Sequence, residues 1–175
     1  MMKTLFTAEQ IAAAVDAAAE QVLARFGSEE DVLVLVLLNG ALPFAADLLR
    51  RLPANYRYDT IRVSSYGEGT ESRGTLTWKS PMPFVEGQRV LVVDDVLDSG
   101  LTLHSLLTEL KAAGAADIAA AVAVDKPARR RIEVPGVIAA LRVEEDHFLL
   151  GYGMDHAERY RNLPDICVYL PDGNM

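Results

Sequence analysis

Three stretches of the chain, Val32–Leu38, Val90–Val93 and Ile118–Val124, are apolar without interruption and built from Val, Leu, Ile and Ala. A half-exposed strand alternates apolar with polar residues. Runs without alternation belong to strands buried on both faces, which are parallel strands joined by helical crossovers. The intervening segments supply such helices. Thr7 and Gln10 form a capping box, and Ile11, Val15, Ala18, Val22 and Phe26 recur at helical spacing until Gly27 closes the run. Asn39-Gly40 breaks the first apolar run, and Pro43 opens a second helix that reaches about Arg51. Leu103–Ala113 is amphipathic and ends at Gly114. Tyr58–Ser65, Thr75–Lys79, Val137–Val143, Phe148–Tyr152 and Ile166–Leu170 read as further strands. The predicted class is α/β, with a central, mostly parallel sheet flanked by helices in a single domain over residues 1–175.

Composition narrows the function. The net charge of −8 argues against a nucleic-acid binder, which needs a basic face to neutralise phosphates. A lone cysteine, Cys167, excludes an internal disulfide. The first twenty residues carry Glu9, Asp16 and Glu20, unlike a signal peptide. No run approaches the ~18 apolar residues of a membrane span. A soluble, cytoplasmic protein is expected.

In parallel sheets of this kind, ligands sit beyond the C-terminal strand ends. Three polar signals fall there: Asn39-Gly40, Asp94–Thr102 and Lys126. The second is the most informative. A buried strand runs into Asp94 and Asp95, continues through Val96 and Leu97 to Asp98, and turns at Ser99-Gly100-Leu101-Thr102 into a helix. A helix N-terminus offers unpaired N–H groups and a positive dipole end, which suit a phosphate. The carboxylates suit ribose hydroxyls and a divalent metal, and two adjacent acids need such a partner to offset their repulsion. Ser99 and Thr102 taken alone would serve as helix caps; the neighbouring acids favour the phosphate site.

Val90–Thr102 resembles the phosphoribosyl-pyrophosphate (PRPP) motif of the type I phosphoribosyltransferases. Three more segments agree in order and spacing with the hypoxanthine-guanine phosphoribosyltransferases. They are Ser64-Ser65-Tyr66-Gly67, Val124-Asp125-Lys126-Pro127, and Asp146–Asp155 followed by Arg161-Asn162-Leu163. The resemblance covers roughly residues 30–170. It implies the type I phosphoribosyltransferase fold, with a small hood formed by chain-terminal segments (about 1–15 and 143–170) and a mobile active-site loop at about 65–75. The polar stretch Tyr66–Gly74, with three glycines, fits that loop.

The implied reaction is purine salvage: the 5-phosphoribosyl group of PRPP passes to N9 of hypoxanthine or guanine, with Mg²⁺ present, giving IMP or GMP and pyrophosphate. The resemblance implies that Asp94 and Asp95 face the ribose hydroxyls, directly or through metal, and that Asp98 is the general base. Val96, Leu97, Asp98, Ser99, Gly100, Leu101 and Thr102 would bind the ribose-phosphate. Asn39, Gly40, Arg161, Ser65 and Tyr66 would bind pyrophosphate. Lys126, Phe148, Leu149 and Asp155 would bind the purine, and Asp155 would join Asp94 and Asp95 as a metal ligand. Many relatives carry Lys or Arg where Asn39 stands, so this chain departs from them; the family often has a cis peptide at the pyrophosphate loop, and the sequence leaves open whether Leu38-Asn39 is one here. Relatives form dimers or tetramers, so a homo-oligomer is implied. Another 6-oxopurine specificity, such as xanthine-guanine, stays open. A PRPP-binding regulator on the same fold is a further alternative, although the acidic chain lacks a nucleic-acid face. The acidic strand end also resembles a phospho-receiver domain, but receivers place it near their start. No Gly-x-Gly-x-x-Gly follows a strand, which disfavours a Rossmann dehydrogenase.

Overall fold

A computed structural model describes residues 2–65 and 76–170. Strand β1 (Met2–Phe6) and helix α1 (Ala8–Phe26) open the chain, followed by β2 (Val32–Leu37), α2 (Leu42–Leu49) and β3 (Tyr56–Ile61). Two short strands, β4 (Val63–Ser65) and β5 (Leu76–Trp78), precede β6 (Arg89–Leu97) and α3 (Leu101–Ala112). Then come β7 (Asp117–Asp125), a 3-10 turn at Pro127–Arg129, β8 (Ile138–Arg142), β9 (Leu149–Leu150) and β10 (Ile166–Tyr169).

The main sheet has five strands in the order β3-β2-β6-β7-β8, all parallel. Both faces are covered, as the uninterrupted apolar runs require. All six residues of β2 are buried, and Val90–Val93 of β6 are fully so. The crossovers explain the layers. From β2 through α2 the chain moves one way along the sheet, and from β6 through α3 it moves the other. Right-handed crossovers in opposite directions place their helices on opposite faces. Helix α1 packs beside α2, held by Arg51, which pairs with Asp16 and donates to the Asp47 and Ala12 carbonyls. The capping box at Thr7 and Gln10 is formed on both sides.

Three expectations are corrected and one strand is added. First, Tyr58–Ser65 is two strands. β2 ends at Leu37, so nothing in the main sheet pairs beyond Ile61, and after Arg62 the chain turns to pair antiparallel with β5. Second, β6 extends past Val93 because β7 runs alongside it to Asp125, so Asp94 and Asp95 lie within the strand. Third, α3 starts at Leu101, two residues earlier than expected, which puts Thr102 in its first turn. The added strand, Met2–Phe6, which carried no strand signal, pairs antiparallel with β10, and β10 pairs with β9 in a second sheet. Its partner is 163 residues away at Thr4–Cys167, a pairing that local pattern does not show. Tyr66 and, beyond Ser65, the loop expected at about 65–75 lie outside the described residues. Among the described residues no helix is long and apolar enough to cross a membrane.

Candidate active site

The C-terminal ends of β2, β6 and β7 share one edge, and two cavities open there. One, of about 370 Å³, is bounded by Gly40, Asp94, Ser99, Thr102 and Arg161. The other, of about 350 Å³, is bounded by Lys126, Arg129, Asp146, Phe148 and Leu149. Asp95, Val96, Asp98 and Asp155 line both, so the cavities meet at the acids that follow the central strand.

Asp94 is the most perturbed of these acids. Burial raises its pKa, and the adjacent Asp95 charge adds to the rise. Two local hydrogen bonds reach them: Asp95 N–H donates to Asp94 Oδ1 (2.9 Å) and Val96 N–H to Asp95 Oδ1 (2.8 Å). A hydroxyl donor or a cation would offset the repulsion. Asp98 Oδ1 is buried and has no hydrogen-bond partner among the described residues. An orphaned acceptor of this kind is costly unless a ligand completes it.

One turn of chain forms the wall of the first cavity after β6. Gly100 caps α3 with φ of 82°, a left-handed conformation suited to glycine. A Cβ there would also collide with the Ile132 carbonyl. Ser99 Oγ accepts from Leu101 N–H at 3.4 Å, and the first i→i−4 bond of α3 is His104 N–H to Gly100 O (2.9 Å). Gly100, Thr102 and Leu103, at the N-terminus of α3, line the first cavity.

The second cavity is assembled from distant segments. Lys126 is buried, and its Nζ lies 3.7 Å from Asp146, which also accepts from Arg129 Nε at 2.7 Å. That hydrogen bond holds the Asp146 carboxyl below the usual carboxylate range. Phe148 is 50% exposed, with its ring edge-on to His156 (5.6 Å) and Tyr169 (6.2 Å), which stack on each other. The half-exposed Phe148 thus lines the second cavity while its ring packs in an aromatic cluster with His156 and Tyr169. Tyr152, with φ of 48°, donates to Asp47 Oδ2 at 2.7 Å and ties this loop to α2; burial and that bond push its phenol pKa up.

Two glycines bring the sides together. A Cβ at Gly153 would strike the Gly40 carbonyl, and a Cβ at Gly40 would strike the Asp95 carboxylate. The peptide Leu38-Asn39, just before Gly40, is cis, a point the sequence left open. Asn39 itself does not reach the cavities; its Oδ1 accepts from Arg62 Nη2 at 3.0 Å. Arg161 does reach, held by Asp155 Oδ1 (2.7 Å) and the Gly153 carbonyl (2.7 Å). Asp155 Oδ2 accepts from Glu158 N–H (2.8 Å), so both its oxygens are engaged. Among the described residues no three His, Cys, Asp or Glu side chains gather as a metal site, so Asp155 is not brought into a cluster with Asp94 and Asp95. Ser65 lies in β4, at the edge of the described residues. Arg129, Arg130, Asp146 and Tyr152 had no role assigned from sequence. The basic triplet at 129–131 was visible, but nothing local shows which of its members turns inward.

A doubly covered parallel sheet, with paired carboxylates in its central strand and a tight glycine turn opening the next helix beside a cavity, places the protein in the α/β class. The chain belongs to the phosphoribosyl transferase domain family, whose model matches residues 1–157. It is 35% identical over 168 residues to the hypoxanthine-guanine phosphoribosyltransferase of Aquifex aeolicus, covering 95% of this chain and 94% of that one. It is 42% identical over 141 residues to the bifunctional protein TilS/HprT of Listeria monocytogenes, where the match spans 80% of this chain and only 22% of that longer protein. Among solved structures, a hypoxanthine-guanine phosphoribosyltransferase from Bacillus anthracis superposes with a TM-score of 0.88 at 35% identity, covering 96% of this chain and 98% of that one.

Proposed function

We propose that this protein transfers the 5-phosphoribosyl group of PRPP to N9 of hypoxanthine or guanine, releasing pyrophosphate. The observation that carries this reading is the buried, unpartnered Asp98 Oδ1 at the junction of two cavities. The relatives' names support it. The first cavity takes the ribose-phosphate: N–H groups of the turn at Asp98–Thr102 and the Ser99 and Thr102 hydroxyls hold the 5′-phosphate. Asp94 and Asp95 hold the ribose hydroxyls. The second cavity takes the purine. Phe148 stacks on its face, the Leu149 backbone meets its edge, and the Lys126 ammonium donates to the 6-oxo oxygen, which a 6-amino group would repel. Asp98 accepts the proton at N7 as N9 bonds to C1 and the C1–oxygen bond to pyrophosphate breaks.

Arg161, the Asn39-Gly40 backbone, Ser65 and Tyr66 attend the pyrophosphate. Asp94 and Asp95, repelling each other and short of donors, suit a divalent ion, and in this reading Mg²⁺ is held there and by PRPP itself. When bound it neutralises charge on the leaving pyrophosphate. Asp155 then serves to aim Arg161. The sheet β1-β10-β9 is the hood, in a single domain. The reading also includes a cytoplasmic dimer or tetramer, which light scattering and fractionation test.

Supplying PRPP and Mg²⁺ with hypoxanthine, guanine, xanthine and adenine in turn tests the activity. Pyrophosphate release with hypoxanthine or guanine is expected. Release with adenine alone would overturn the role given to Lys126. Release with none of the four, despite PRPP binding, would leave a PRPP-binding regulator.

A further inference from the structure

The arginines of the 129–131 run part company. Arg129 reaches the purine cavity, whereas the Arg130 side chain is 10% exposed and turns beneath the loop that follows β6. Arg130 Nε donates to the Asp98 carbonyl (2.8 Å) and Nη2 to the Leu97 carbonyl (3.1 Å). Nη2 also meets the buried Asp125 carboxylate, which Arg142 Nη1 joins at 3.1 Å. Backbone groups of the same segment complete the grip. Lys126 N–H donates to Leu97 O (2.9 Å), and Arg131 and Ile132 N–H both donate to Ser99 O (2.9 and 3.1 Å).

Three successive carbonyls, those of Leu97, Asp98 and Ser99, are therefore drawn toward residues 126–132. In a trans peptide the N–H points opposite to the C=O. Fixing these carbonyls turns the N–H groups of Asp98, Ser99 and Gly100 the other way, toward the cavity that these residues line. Successive N–H groups aimed at one point form an anion-binding concavity. A buried ion pair contributes little net stability, so the Arg130–Asp125 pair is better explained by what it holds in place.

We propose that Arg130 is a positioning residue for phosphoribosyl transfer: its guanidinium sets the peptide planes at Leu97–Ser99, aims their amides at the 5′-phosphate, and fixes the backbone from which the Asp98 carboxylate projects. The inference rests on the function proposed above. A guanidinium suits the task because its planar fork satisfies two carbonyls and a carboxylate at once, which an ammonium does not.

The test uses the full chain with Mg²⁺, PRPP and hypoxanthine. PRPP binding to the wild type is measured first by calorimetry; no binding would remove the proposed function itself. Arg130→Lys is expected to keep its thermal midpoint near that of the wild type. Its KM for PRPP should rise and its kcat fall, each by about tenfold or more, with the purine KM within about twofold because the base contacts are untouched. In Arg130→Ala, millimolar ethylguanidinium should restore kcat, and ethylammonium should not. Wild-type kcat and PRPP KM in Arg130→Lys would overturn this inference alone. So would an equal loss in the purine KM accompanied by a lowered thermal midpoint, which would mark general loosening. A folded Arg130→Ala that ethylguanidinium leaves inactive would also overturn it; should that variant not fold, the Arg130→Lys constants decide.

Discussion

In the proposed reading the phosphate half of the site is a single run of chain, Asp94–Thr102, whereas the base half is gathered from Lys126 and Phe148–Asp155. The first takes its shape from a strand, a left-handed glycine and a helix N-terminus that follow one another directly. The second takes its shape from contacts between segments distant in sequence, such as Tyr152 with Asp47 and Phe148 with Tyr169. A contiguous turn can be carried intact from one protein to another, while an assembled surface shifts with any of its supports. The invariant chemistry of ribose-phosphate suits the former, and base choice suits the latter.

The largest effect tests what joins the halves. Asp98→Asn keeps shape and hydrogen bonding but removes the proton acceptor, so kcat should fall about 10²- to 10⁴-fold with PRPP binding retained. Near-normal turnover would take Asp98 out of the chemistry. Gly40→Ala comes next. Gly40 does not need a positive φ, so the change acts by pushing on Asp95, and a displacement near 1 Å costs about 10²-fold in kcat/KM for PRPP. An unchanged PRPP KM would show that the two sides are not packed through this glycine.

Phe148→Ala should affect only the base half. Loss of stacking, worth about 1 to 3 kcal/mol, should appear in the purine KM and leave the PRPP KM alone. Tyr152→Phe removes a hydrogen bond to a carboxylate. It should lower stability by about 1.5 kcal/mol in denaturant unfolding and raise the purine KM slightly. A change in the PRPP KM instead would blur the division between the halves.

The smallest effect has the opposite sign. The pKa of Asp94 is raised by burial and then by Asp95, so the folded state retains a proton that the unfolded chain has already released. Stability from this group is lost as pH rises above the ordinary carboxylate value of about 4. Asp94→Asn does not ionise. It should match the wild type in acid and gain thermal stability over it toward neutral pH, while PRPP binding weakens. Parallel melting curves at every pH would contradict the burial of that charge.

Much of the phosphate half was legible in the sequence because its causes are local. Apolar runs without alternation demand burial on both faces, and a small-residue turn before an amphipathic run marks a helix start. The errors came where one strand's length depends on another. β6 continues through both acids because β7 runs beside it, and Tyr58–Ser65 divides because β2 stops at Leu37. For β1 the partner strand lies at the other end of the chain.

The run Val90–Thr102 by itself determined a buried strand, paired carboxylates and an anion-binding helix start, because each follows from a few neighbouring side chains and backbone dihedrals. Only the tertiary structure decided that Arg130 would turn inward and Arg129 outward. It alone decided that Gly40 would separate Asp95 from the base loop, and that Phe148 would be braced by His156 and Tyr169. These outcomes depend on which surfaces meet when distant segments pack, and that meeting is set by the whole sheet and not by any one stretch.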